Sequence, residues 1–89
     1  MVEAQLVIRN QQGLHARSCS LFCKTAARFK AQVLVSRDDL EVNGKSILGV
    51  MMLAAEEGAI LKVRAEGEDE VELLAALTEL VESRFGGIP

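Results

Sequence analysis

The stretch NQQGLHARSCSL, residues 10–21, holds the chain's single histidine, with Gly13 two residues before it and Arg17 two residues after. An imidazole bonded to phosphorus makes a labile N–P bond, so a phosphoryl group placed on His15 can be passed on rather than kept. The residue period changes at Ala16 and predicts a helix from there, which puts His15 at a helix mouth. A helix's first turn has unpaired backbone N–H groups and partial positive charge. Together these suit phosphate. Ala16 and Arg17 lie where such amides would meet the group, and the Arg17 guanidinium matches phosphate oxygens. Gly13 lets the loop backbone approach closely. Phosphoryl transfer is largely positioning and electrostatics, so a small carrier suffices if its partners hold the remaining machinery. In the blander alternative His15 is a surface loop residue or a helix cap.

The same stretch admits a metal-binding alternative. His15, Cys19 and Cys23 are spaced by four and could line one helix face, and zinc takes both ligand types. However, Cys19 and Cys23 coincide with the apolar stripe that carries Phe22 and Ala26. Packing accounts for them as small buried hydrophobes in a reducing compartment. A disulfide across one helical turn has poor geometry. No metal and no cofactor is expected.

Several elements must position the histidine. Residues 2–8 alternate, with Val2, Ala4, Leu6 and Ile8 on one side and Glu3, Gln5 and Val7 on the other, which predicts a half-buried strand. The helix from Ala16 is expected to fade at residues 28–30. A second strand follows at 32–37, rich in β-branched residues. Asp38-Asp39 is a turn signal, and 40–43 returns as a third strand. Ser46 is a helix N-cap, and Gly49 keeps the helix after it short. A fourth strand covers 59–66 with Leu61, Val63 and Ala65 facing inward. Residues 69–85 form the clearest helix: Asp69 is the N-cap, with Glu72 completing a capping-box pattern. Leu73, Leu74, Leu77, Leu80 and Val81 make its stripe. Arg84 falls in its last turn, Gly86 lies just beyond, and the final GGIP is expected to fray. The fold class is α+β: an open-faced β-sandwich, a four-stranded antiparallel sheet covered on one face by helices, in the order β-α-β-β-α-β-α.

At 89 residues the chain suits one domain over 1–89, too small to enclose a large substrate cleft. Hydrophobic residues make up 49% and charged residues 26%, which allows a packed core and argues against disorder. With three Phe and no Trp or Tyr, that core must be aliphatic. The net charge of -3 argues against a nucleic-acid partner, which would need a basic footprint. No apolar run reaches membrane-spanning length and no signal peptide precedes the first strand. A cytoplasmic protein without membrane contact is expected, monomeric as befits a transient shuttle.

GLHAR (13–17) followed by VNGKSILGVMMLAAEEG (42–58) resembles the HPr family, the histidine-containing phosphocarriers of the bacterial phosphoenolpyruvate-dependent sugar phosphotransferase system. The similarity spans nearly the whole chain and two separate motifs carry it. It implies that His15 is phosphorylated on Nδ1 and that Arg17 stabilises the phosphate. The system's first enzyme, itself charged by phosphoenolpyruvate, would be the donor, and sugar-specific A components the acceptors. The protein would be a carrier without turnover of its own, not an enzyme. Ser46 matches the serine that a dedicated kinase/phosphorylase modifies in many bacteria, and a transcriptional regulator would then be a further partner. A phosphate there would sit at a helix N-terminus.

The resemblance also places an exposed apolar patch at Ile47 and Leu48, with Leu21 next to it. Arg17, Lys24, Lys45 and Arg28 would ring the patch. An apolar centre with a basic rim suits acidic partner faces. One departure stands out. The family usually has proline at position 18, and this chain has Ser18. Proline in the first turn presets the backbone, so a slightly softer site is expected here. The run SCSLFC is also less typical than an alanine-rich one. These departures leave open a regulatory relative that serves nitrogen control or another non-sugar branch through protein–protein binding. A relative that works only through its serine normally lacks the histidine.

Overall fold

The structure is a computed structural model that describes residues 1–89. Seven elements follow in chain order: β1 (Val2–Val7), α1 (Ala16–Ala27), β2 (Gln32–Arg37), β3 (Leu40–Asn43), α2 (Ile47–Met52), β4 (Ile60–Glu66) and α3 (Glu70–Glu82). A short turn, Arg84–Gly87, ends the chain's regular structure. The four strands form one antiparallel sheet in the order β1-β4-β2-β3. The expected class and element order therefore hold.

Period-two alternation sets the two faces of the sheet. Leu6 pairs with Leu61, Val35 with Val63 and Val33 with Ala65, and all six are buried on the helix side. The opposite face carries Glu3 against Arg64, Gln5 against Lys62 and Gln32 against Glu66. It stays in solvent, as one face of an antiparallel sheet commonly does. Helix α1 buries Cys19, Phe22, Cys23 and Ala26 against this core, and α3 buries Leu73, Leu77 and Val81. The two helices also pack on each other.

The Asp38-Asp39 turn joins the Arg37–Leu40 pair, with Asp38 in the left-handed region at φ 54°. Aspartate tolerates that conformation better than most residues. In α2, Gly49 does more than limit length. A Cβ at Gly49 would lie 3.3 Å from both Ser46 Oγ and Val42 Cβ, so its absence lets the short helix close down on β3.

Four expectations at the last helix and the chain end need correction. Asp69 occupies the N-cap position of α3 as expected, but its carboxylate makes no bond to its own helix. It accepts instead from the backbone N–H groups of Lys30 (2.9 Å) and Ala31 (2.8 Å), tying the start of α3 to the α1–β2 connection. Glu70, not Glu72, reaches back, accepting from the Gly67 amide at 3.1 Å. The helix then stops at Glu82, short of Arg84. Arg84 (φ 56°) and Phe85 (φ 55°) both turn left-handed. The physical reason is burial: the reversal puts Phe85 and Ile88 into the core. The GGIP end is therefore packed rather than frayed, and its Pro89 carbonyl accepts from Asn10 Nδ2 at 3.3 Å.

Candidate functional site

His15 is the N-cap of α1, in an extended conformation (φ -126°, ψ -176°). Its half-exposed ring turns toward the helix mouth: Nδ1 accepts from the Arg17 backbone N–H at 3.2 Å, and the ring also takes the Ser18 amide. Accepting at Nδ1 leaves the proton of the neutral ring on Nε2. Nε2 is buried and has no partner. The nitrogen that addresses the first-turn amides is therefore the one with a free lone pair. If phosphorus took that lone pair, the same amides would face phosphoryl oxygens, the usual anion arrangement of a helix start. Ala16 and Arg17 form the exposed first turn, and the Arg17 guanidinium enters no ion pair within the chain.

The loop before His15 is held against the α2–β4 connection. Leu14 N–H donates to the Ala55 carbonyl at 2.8 Å. Gly13 has φ +68°, and a Cβ there would strike the Ala55 carbonyl oxygen and lie 2.9 Å from Glu56 Cα. The close approach that Gly13 permits is thus to a neighbouring loop. That loop is itself clamped. The Arg37 guanidinium donates to the carbonyls of Leu53 (3.2 Å) and Ala54 (2.9 Å) and pairs with the Glu56 carboxylate at 2.8 Å. Glu56's own backbone N–H and then Arg37 hold its carboxyl below the ordinary carboxylate value.

Ser18 departs from expectation. Its hydroxyl is fully buried and bonds the His15 backbone N–H (2.9 Å) and the Gly13 carbonyl (3.0 Å). Serine therefore adds ties at the place where a softer site was expected. The cysteines are plain core residues. Burial, with Cys23 beside it, pushes the Cys19 thiol up to about 11, and burial raises Cys23 too. Thiols held protonated are poor ligands and nucleophiles. No three His, Cys, Asp or Glu side chains converge, so His15, Cys19 and Cys23 do not make a metal site.

The surface around α2 is apolar and open. Ile47 is 44% and Leu48 77% exposed, and Met51 and Met52, which the sequence reading passed over, extend the patch at 40% and 66%. Helix α2 packs on α1. On α1 the spacing of Arg17, Leu21, Lys24 and Arg28 places all four on one face. Leu21 is half-buried against the core, and Lys24 and Arg28 are exposed. Lys45 is different: its ammonium donates to the Phe29 carbonyl at 2.7 Å. That bond commits it to the α1–β2 connection and takes it off a free basic rim. Ser46 caps α2 as read, accepting from the Gly49 amide at 3.1 Å.

Comparison with known proteins agrees with this geometry. The family described as "PTS HPr component phosphorylation site" matches residues 2–83. Phosphocarrier protein HPr of Neisseria meningitidis is 45% identical over 86 residues, 97% of each chain. The crystal structure of HPr from Thermoanaerobacter tengcongensis superposes with a TM-score of 0.95 at 45% identity, covering all of both chains. The HPr-like protein Crh of Halalkalibacterium halodurans is 39% identical, over 92% of this chain and 98% of its own. No helix is long and apolar enough to cross a membrane. The chain belongs to the HPr family, carriers without turnover of their own that take a phosphoryl group from the first enzyme of the phosphotransferase system and pass it to sugar-specific A components.

Proposed function

We propose that His15 carries the phosphoryl group on Nδ1 and that Arg17 steadies it. The observation behind this is the Nδ1 contact to the Arg17 amide at the mouth of α1. In the charging step the Nδ1 lone pair attacks phosphorus. The Nδ1–P bond forms as the bond from phosphorus to its donor atom breaks, and Nε2 keeps its proton. The amides of Arg17 and Ser18 move from ring nitrogen to phosphoryl oxygen, and the Arg17 guanidinium adds charge-assisted bonds. The grip stays moderate because the site is open to solvent on the Arg17 side. The phosphoryl group can therefore leave to the next acceptor by the same in-line path.

Partners dock on Ile47, Leu48, Met51 and Met52, beside Leu21, with Arg17, Lys24 and Arg28 as the basic rim for acidic faces. Lys45 supports this surface from behind through its bond to Phe29. Ser46 is the regulatory position, modified by a serine kinase/phosphorylase where the source organism has one, with a transcriptional regulator as reader. The molecule works as a single phosphocarrier domain over 1–89, a monomer in the cytoplasm.

The test is incubation with phosphoenolpyruvate and the first enzyme. An acid-labile, alkali-stable adduct should form and disappear in His15→Ala. An adduct that survives in His15→Ala removes His15 from the role. An acid-stable adduct on Ser46, made by ATP and the kinase, supports the regulatory assignment. Its absence on the folded protein with an active kinase removes it.

A further inference from the structure

The buried interior is apolar except at two residues, Asn10 and Ser18, both fully buried. Both flank the loop that leads to His15, and their side chains meet at one atom. Asn10 Nδ2 donates to the Gly13 carbonyl at 2.8 Å, and Ser18 Oγ donates to the same oxygen at 3.0 Å. The Gly13 N–H returns to the Asn10 carbonyl at 3.1 Å.

A serine hydroxyl has one proton and two lone pairs. With the proton given to Gly13, the oxygen is free to accept the His15 N–H at 2.9 Å. The His15 carbonyl lies farther from Oγ, at 3.2 Å, and already receives the Cys19 amide at 2.8 Å. The backbone of His15 is thus held on both sides, its N–H by Ser18 and its C=O by Cys19. Only the side-chain torsions remain free, and within that limit Nδ1 falls opposite the Arg17 amide. Burying a polar side chain costs free energy unless it is bonded. The Ser18 hydroxyl and the Asn10 amide nitrogen converge on the same carbonyl, while Asn10 Oδ1 is buried without a partner.

We propose that Ser18, backed by Asn10, is a positioning residue for phosphoryl transfer: its hydroxyl pins the His15 backbone so that Nδ1 stays facing the first-turn amides of α1. Proline at this place could make neither bond, since it has no hydroxyl. The inference rests on His15 being the phosphoryl-bearing residue.

The test uses the full chain with ¹⁵N-labelled histidine, as wild type, Ser18→Ala, Asn10→Ala and His15→Ala. Two readouts are taken beside thermal unfolding: the ¹⁵N shifts that report which ring nitrogen carries the proton, and the rate of phosphorylation by phosphoenolpyruvate and the first enzyme. Wild type should show the Nε2–H tautomer. Ser18→Ala should show a mixture and a rate lower by about tenfold, the scale of one well-placed hydrogen bond. Asn10→Ala keeps the hydroxyl but removes its companion, so the same change should appear at smaller amplitude. If Ser18→Ala melts lower while tautomer and rate stay within about twofold of wild type, Ser18 is structural only and the proposal falls. Failure of the carrier assignment is read separately, as phosphate still accepted by His15→Ala. The tautomer measurement needs no phosphate and tests the pin independently of it.

Discussion

Truncating Leu48 separates docking from folding. Leu48 is 77% exposed, so the folded chain gains little from it. Fully burying a leucine side chain contributes about 1.5–3 kcal/mol. Most of that is still available to a partner, and Leu48→Ala should therefore remove roughly 1–2 kcal/mol of binding free energy. At 1.4 kcal/mol per decade this weakens the complex with the first enzyme about 5–30-fold. Isothermal titration with purified first enzyme reads the affinity, and steady-state phosphorylation reads the kinetics. The loss should fall on KM with kcat little changed, the signature of binding that is equal in ground and transition states. Val71→Ala is the control. Val71 is 61% exposed on α3 and is not among the residues assigned to docking, so its truncation should leave the affinity unchanged. Equal weakening by both variants, or an unchanged affinity for Leu48→Ala, would refute the assignment of α2 as the docking face.

Gly13→Ala should both destabilise the fold and slow phosphorylation. The residue has φ +68° and its new Cβ would collide with the Ala55–Glu56 backbone, so the loop holding Leu14 and His15 must shift; thermal unfolding and the phosphorylation rate check it together. The carboxyl of Asp69 is held below its ordinary value of 3.8, chiefly by the Lys30 N–H, with the Ala31 N–H adding to it. A carboxylate favoured in the folded state stabilises above its unfolded pKa, and that contribution disappears as pH falls through the lower folded value. Acid unfolding followed by circular dichroism should therefore be shallower below pH 4 for Asp69→Asn than for wild type, with a lower stability at neutral pH.

The elements whose identity depends on local pattern were legible in the sequence. Alternation at 2–8 and 59–66, the stripe from Cys19 to Ala26 and the Ser46 cap all describe the structure to within a residue or two. What local pattern could not supply is where a polar side chain finds a partner far away in sequence. Asp69 looked like a cap because it precedes a helix, yet the nearest orphan donors were Lys30 and Ala31 across the fold. Lys45 looked like a surface cation, yet the Phe29 carbonyl lay within its reach. The chain end looked mobile because it ends in GGIP, but Phe85 and Ile88 are apolar, and burial outweighed the cost of left-handed residues. At the candidate site, type and spacing singled out the histidine, arginine and glycine, which the structure places together at the mouth of α1. The buried bonds of Asn10 and Ser18 were not legible, because only the turn at Gly13 brings residues eight apart onto one carbonyl.

Arg37 sits at the end of β2, far along the chain from the histidine, yet the two are mechanically in series. The guanidinium moors the carbonyls of Leu53 and Ala54, the next carbonyl along receives Leu14, and Leu14 adjoins His15. The β2–β3 hairpin therefore acts as an anchorage for the loop that carries His15. A disturbance at that edge of the sheet, next to the end of α2, would reach the histidine as slack in its mooring through the carbonyls of Leu53, Ala54 and Ala55.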